Sequence, residues 1–164
     1  MAGRITASED QLRPDPVYGD TVLAKFTNCI MRDGKKTSAE RVIYNALDAI
    51  NEKLEKYDGE DKPENSLAVF HAAIENVKPY VEVRSKRIGG ANYQVPIQVN
   101  RKRQQSLSFR WIIQAARSDK GRPMHMRLCD ELWNAARGEG KAMTTREQTH
   151  RMAEANKAFA HFAK

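Results

Sequence analysis

Residues 80–100 read YVEVRSKRIGGANYQVPIQVN, and the fold turns on this stretch. Apolar residues recur with helical spacing on both sides of it, whereas inside it the period drops to two. Val81 and Val83 share one side of the run Tyr80 to Ile88, and Tyr93, Val95, Ile97 and Val99 do the same in the run Tyr93 to Asn100. Gly89-Gly90-Ala91-Asn92 between them supplies the positive φ angles a hairpin connection needs. Pro96 has no N–H, which excludes this ribbon from the middle of a wider sheet. The stretch therefore predicts a two-stranded arm over 80–100, roughly 25 Å long at ~3.3 Å per residue. A lone hairpin is marginal in water, so another part of the structure must lie against it.

Outward from the ribbon the pattern is helical. Upstream, a helix is expected after Asp20, with Leu23, Phe26, Cys29 and Ile30 at helical spacing and a stop at Asp33-Gly34. Thr37-Ser38-Ala39-Glu40 reads as a capping box for a second helix carrying Val42, Ile43, Leu47, Ile50 and Leu54. Lys56 to Glu64 is a charged, turn-rich connection, and Pro63 suits the first turn of a third helix with Leu67, Phe70, Ile74 and Val77. Downstream, helices are expected at about Gln104–Ser118 and Met124–Ala136, separated by Gly121-Arg122-Pro123, with Gly138-Glu139-Gly140 ending the second. Thr144-Thr145-Arg146-Glu147 reads as the capping box of a last helix running through Met152, Phe159 and Phe162. Residues 1–16 lack periodicity and end in Arg13-Pro14-Asp15-Pro16, which predicts an extended N-terminal arm. The expectation is one mainly α domain over 1–164, with about six helices and one protruding β-hairpin between the third and fourth.

Charge is distributed unevenly along this framework. The 164 residues carry a net +7, yet residues 84–127 alone hold 11 Lys/Arg against one Asp/Glu. Residues 1–83 are net acidic, with 11 against 15. Between 84 and 117 there are eight basic side chains and no acid: Arg84, Lys86, Arg87, Arg101, Lys102, Arg103, Arg110 and Arg117. Self-repulsion opposes such clustering, so the block points to a polyanionic partner, with nucleic acid first. Arg110 and Arg117, seven apart, share a helix face. Gly34-Lys35-Lys36 adds two lysines at a helix start, a weak phosphate signal without the spacing of a nucleotide-triphosphate loop. Trp111 and Trp133 sit in apolar stripes and are expected in the core, whereas Tyr93 beside the hairpin tip is a candidate for base stacking.

Other functions find little support. His71, His125, His150 and His161 are scattered, and no metalloprotease, paired-cysteine or nucleophile-elbow motif occurs. No catalytic residue, metal or cofactor is expected. Cys29 and Cys129 are far apart in helix-like stretches and are expected as buried free thiols in a reducing compartment. No apolar run reaches the ~18 residues that span a bilayer, and the start Met1-Ala2-Gly3-Arg4 has no leader character. A cytoplasmic protein with no membrane role is the expectation.

Several ordered blocks carry a resemblance. They are Pro14-Asp15-Pro16 with Leu23-Ala24-Lys25-Phe26; Met31 through Glu40; Ala73 through Pro79 joined to Val81 through Gly90; Tyr93-Gln94-Val95-Pro96 with Arg101 to Arg103 and Arg110-Trp111-Ile112; and His150 through His161. Over Pro14 to Phe162 the chain resembles the universal small-subunit ribosomal protein seven family, bacterial type. The resemblance implies a helical protein with a protruding ribbon that binds the 3′ major domain of small-subunit ribosomal RNA and nucleates head assembly. It also implies a position near the exit-site tRNA and the mRNA exit, beside protein eleven. Carried over by position, Lys35, Lys36, Arg84, Lys86, Arg87, Arg101, Arg103 and Arg110 fall in RNA-facing segments, while Gly89, Gly90 and Tyr93 fall at a tRNA-proximal tip. Lys102 and Arg117 join the ribosomal RNA-binding set through the charge block. The arm departs from the family's strongly basic one, with only Arg4 and Arg13 beside Glu9, Asp10 and Asp15. Lys56–Glu64 reads as an acidic solvent-side insertion. A DNA-binding regulator and an RNA-processing enzyme are the alternatives.

Overall fold

The computed structural model describes residues 12–59 and 62–163, so the N-terminal arm over 1–11 lies outside the described residues. The first described turn is not free. Asp15 is buried, and its Oδ2 accepts hydrogen bonds from the backbone N–H of Val17 and of Tyr18, both at 3.1 Å. Tyr44 O–H donates to its Oδ1 at 2.9 Å. The Pro14-Asp15-Pro16 segment is thereby tied down onto the helix carrying Tyr44. Burial, reinforced by Asp15, holds that phenol well above the usual tyrosine range.

Helix α1 (Thr21–Ile30) starts where Asp20, in extended backbone, accepts from Leu23 N–H at 2.6 Å. Its apolar stripe places Leu23, Phe26 and Ile30 inside. Helix α2 (Lys36–Glu55) begins one residue before the expected capping box. Asp33 and Gly34 both adopt left-handed backbone, φ 54° and 71°, and so turn the chain early. Lys35 becomes the N-cap with no side-chain capping bond, and Glu40 faces Lys36 at 3.8 Å. Helix α3 (Ser66–Val77) is capped by Asn65, which accepts from Ala68 N–H at 2.8 Å; Pro63 stands outside it. The Phe26, Phe70 and Phe109 rings join α1, α3 and the helix after the ribbon, with both pairs edge-on at 5.3 Å.

The ribbon forms as expected, between the third and fourth helices. β1 (Val81–Ile88) and β2 (Ala91–Gln98) pair antiparallel from Val81↔Gln98 to Ile88↔Ala91. The connection is shorter than the four residues expected. Gly89 and Gly90 alone make it, at φ 58° and 92°, as a two-residue turn with both central residues left-handed. Nor does the ribbon stand alone. Helix α6 (Lys141–Ala155) packs beside it, and a C-terminal 3₁₀ helix (Lys157–Ala163) covers β2.

Helix α4 (Arg101–Ser118) starts three residues earlier than expected, with Asn100 Oδ1 accepting from Arg103 N–H at 2.9 Å. Helix α5 (Met124–Ala136) packs on α2 and α3, burying Leu128, Cys129 and Leu132 in one core with Ile43, Leu47, Ile50, Val69 and Phe70. Trp111 and Trp133 lie half-buried against that core. The expected capping box at Thr144 falls inside α6, where Thr144 and Thr145 donate back to the carbonyls of Gly140 and Lys141. The real cap comes from another helix. Glu131 of α5, 7% exposed, accepts from Ala142 N–H at 2.8 Å, and burial pushes its carboxyl above the usual range. Cys129 is buried as expected, but Cys29 is exposed because it faces outward from α1.

Candidate nucleic-acid interface

Helix α4 is the spine of the basic surface. Arg103, Arg110 and Arg117 recur every seven residues, on one stripe about 21 Å long at ~1.5 Å rise per residue. The stripe joins the ribbon's base to the end of α1. At its start, Arg101, Lys102 and Arg103 occupy the first turn of a helix whose N-terminal partial charge is positive, and the turn itself contains no acidic residue. Cations are disfavoured at that end by about 0.3–1 kcal/mol each, whereas an anion is favoured. Arg101 and Lys102 are exposed.

Arg103 is tied down. Glu82, 7% exposed on β1, accepts from Arg103 Nε at 3.0 Å through one carboxylate oxygen and from Arg84 through the other. One acid just outside the acid-free block thus holds two of its guanidiniums. Strand alternation places Glu82, Arg84 and Lys86 on one face of the ribbon and Arg87 on the other. Lys86 Nζ donates to the carbonyl of Phe162 at 2.7 Å, which links the ribbon to the 3₁₀ helix. Arg87 is exposed.

Arg110 is exposed midway along α4. Arg117 is half-buried and donates to the carbonyl of Ile30 at 3.0 Å, closing the end of α1. Burial, with the Arg32 charge beside it, pulls Arg117 below the usual arginine range. Lys35 and Lys36 are exposed at the start of α2. Arg117 and Lys35 meet across one cleft of about 440 Å³, also lined by Arg32, Asp33, Ser38 and Arg127. Arg32 and Arg127 were absent from the sequence-derived set; Arg32 stands in the Met31–Glu40 block, but no spacing connects Arg127 to it.

The tip divides. Gly89 and Gly90 are exposed and uncharged. Tyr93 is half-buried, its ring 5.1 Å from Phe159 and 5.8 Å from Phe162. At the ribbon's base the exposed Tyr80 stacks on His150, 5.8 Å between ring centres, and its N–H donates to His150 Nε2 at 3.2 Å. Burial, helped by the Arg146 charge, lowers the His150 pKa and keeps that nitrogen an acceptor. No helix among the described residues is long and apolar enough to cross a membrane.

Comparison with known proteins is consistent with this architecture. Residues 2–157 match the family described as ribosomal protein S7p/S5e. The small ribosomal subunit protein uS7 of Rhodopirellula baltica is 58% identical over 161 residues, 98% of this chain and 99% of its own. Those of Nautilia profundicola and Thermotoga neapolitana are 53% and 51% identical over 159 residues, 97% of either chain. Relatives this similar over nearly their full length establish the family. The chain belongs to the ribosomal protein S7p/S5e family, whose members are structural constituents of the small ribosomal subunit and not enzymes.

Proposed function

We propose that the chain acts as one RNA-binding domain that enters the small subunit by direct contact with its ribosomal RNA, in the 3′ major domain, and nucleates assembly of the head. The carrying observation is α4: a basic stripe whose cationic first turn sits where the helix favours an anion. Arg101, Lys102 and Arg110 are the phosphate contacts on its exposed part, with Arg87 on the ribbon and Lys35 and Lys36 at the far end. Arg84 and Arg103 present to RNA whatever donors Glu82 leaves, while Lys86 and Arg117 have a structural bond as well. The ribbon tip at Gly89-Gly90 points toward exit-site tRNA near the mRNA exit, and protein eleven is a neighbour; these placements rest on the family resemblance.

Filter binding at fixed salt tests the reading, with a small-subunit ribosomal RNA transcript set against duplex DNA of equal length. Tighter binding to the transcript is expected. Tighter binding to DNA would instead favour a DNA-binding regulator and sink the proposal.

A further inference from the structure

The cleft where Lys35 and Arg117 meet has features that the surface stripe lacks. Four cationic side chains line it, Arg32 and Lys35 from the α1–α2 connection, Arg117 from α4 and Arg127 from α5. Asp33 is the one acid among its lining residues, so the cleft is left net positive. Arg127 donates to the carbonyl of Asp119, yet its Nε is shielded from solvent with no hydrogen-bond partner. Buried polar groups are nearly always satisfied, and an orphaned guanidinium nitrogen costs free energy until an acceptor arrives. Asp119 is hydrogen-bonded to Lys141 and also lies within the field of Arg127, but it is not among the residues that line the cleft. No side chain caps α2, whose N-terminus opens beside Ser38 at the same cleft.

We propose that this cleft is a preformed seat for one phosphate group of the bound RNA, gripped by Arg32, Lys35, Arg117 and Arg127. The proposal rests on the RNA-binding reading and adds a defined site to it. Its four cations come from three separate parts of the chain and line one cleft. A tetrahedral oxyanion offers several acceptor oxygens to guanidinium forks and a lysine at once, which a single carboxylate does not. Binding there would relieve the repulsion between Arg32 and Arg117 and give the remaining N–H donors of Arg127 an anionic acceptor.

The test uses the full chain and two readouts. Thermal melts compare sodium sulfate with sodium chloride at equal ionic strength, since sulfate mimics the oxyanion. Wild type should gain about 2 °C or more in Tm from sulfate beyond the gain of Lys35→Ala or Arg127→Met. Salt titrations of transcript binding should give log–log slopes flatter by up to about one unit for each cleft variant. Lys35→Ala keeps the test open should Arg127→Met fail to fold, because Lys35 is exposed and its side chain caps nothing. Arg87→Ala on the ribbon serves as reference. Cleft variants with wild-type slopes, beside a flattened Arg87→Ala, would overturn the seat while leaving RNA binding intact. A sulfate effect lost in the variants without any change in slope would make this a free-oxyanion site and overturn its assignment to RNA. Failure of wild type to prefer the transcript over DNA would sink the underlying reading instead.

Discussion

Glu82→Gln should weaken the fold and strengthen RNA binding at once. The Glu82 side chain is 9% exposed, and its carboxylate holds Arg84, 56% exposed, and Arg103, 37% exposed. Both guanidiniums can return to water when the acid is removed, so the large penalty for stranding a buried charge does not apply. Two partly exposed ion pairs are worth about 0.2–1 kcal/mol each, which puts the loss at about 1 kcal/mol and the fall in Tm at roughly 2–4 °C for a chain of this size. Glutamine keeps the shape and an acceptor oxygen, so no cavity adds to this.

The RNA side has the opposite sign. Removing one negative charge from the ribbon's base releases two forks for phosphate and steepens the log–log salt slope by about 0.9. Across a fourfold change in salt, 50 to 200 mM, the variant should then lose about threefold more affinity than wild type, and bind more tightly at the low end. Scanning calorimetry and filter binding on one preparation measure both. A variant that melts as expected but binds RNA more weakly, with a flatter slope, would show that Glu82 aims the two arginines at phosphate and does not compete for them. That outcome would refute the reasoning.

Three further outcomes follow from the geometry. Tyr44→Phe should cost about 1 kcal/mol by stranding one acceptor of the buried Asp15, and combining it with Asp15→Asn should cost less than the two singles added, as chemical denaturation in a double-mutant cycle would show. His150 should titrate below the free-histidine value of about 6.5 in an NMR pH series; because its folded pKa is lowered, its contribution is fully present above ~6.5 and is lost as pH falls through its folded pKa, where Tyr80 N–H should lose hydrogen-exchange protection. Replacing Ile88–Ala91 with Asn-Gly should preserve both fold and transcript affinity within tenfold, ~1.4 kcal/mol, since the uncharged tip has no cation for phosphate; a larger loss in filter binding would place RNA anchoring at the tip.

What could be read in the sequence was what local pattern controls. The ribbon was legible because period-two alternation around two glycines has few other uses, and α4 because its stripe and its charge coincide. Helix starts at Thr37 and Thr144 were not, although both sequences fit the capping-box pattern. The pattern assumes that the Thr is the N-cap, and in each case a left-handed glycine upstream had already turned the chain into the helix. The cap of α6 comes from Glu131, ten residues before the helix's first residue, through tertiary contact that no local motif encodes. Tyr93 looked exposed because it stands near the tip, yet the chain's last described helix returns to cover it.

The hairpin register also constrains how its tip can be cut. Arg87 pairs with Asn92, and the rung beyond is Ile88↔Ala91. Excising 88–91 and inserting two residues leaves Arg87 opposite Asn92, so every rung toward the base stays as it is. Excising 88–92 instead would bring Arg87 opposite Tyr93, a slip of one residue that sends alternate side chains to the opposite face. Tyr93 would then leave Phe159 and Phe162, and Val95, 0% exposed, would leave the interior. The same logic governs the charges. A window along the sequence counts eight cations and no acid between 84 and 117, but the fold brings Glu82 to Arg84 and Arg103, and sets Asp130 at 2.7 Å from Arg122 and Asp119 against Lys141 just beyond. On the proposed reading a polyanion would meet a narrower field than the linear count implies, centred on Arg87, Arg101 and Arg110 and on the cleft at the end of α1. That narrowing makes single substitutions at those positions informative where a neutralisation of the whole block would not be.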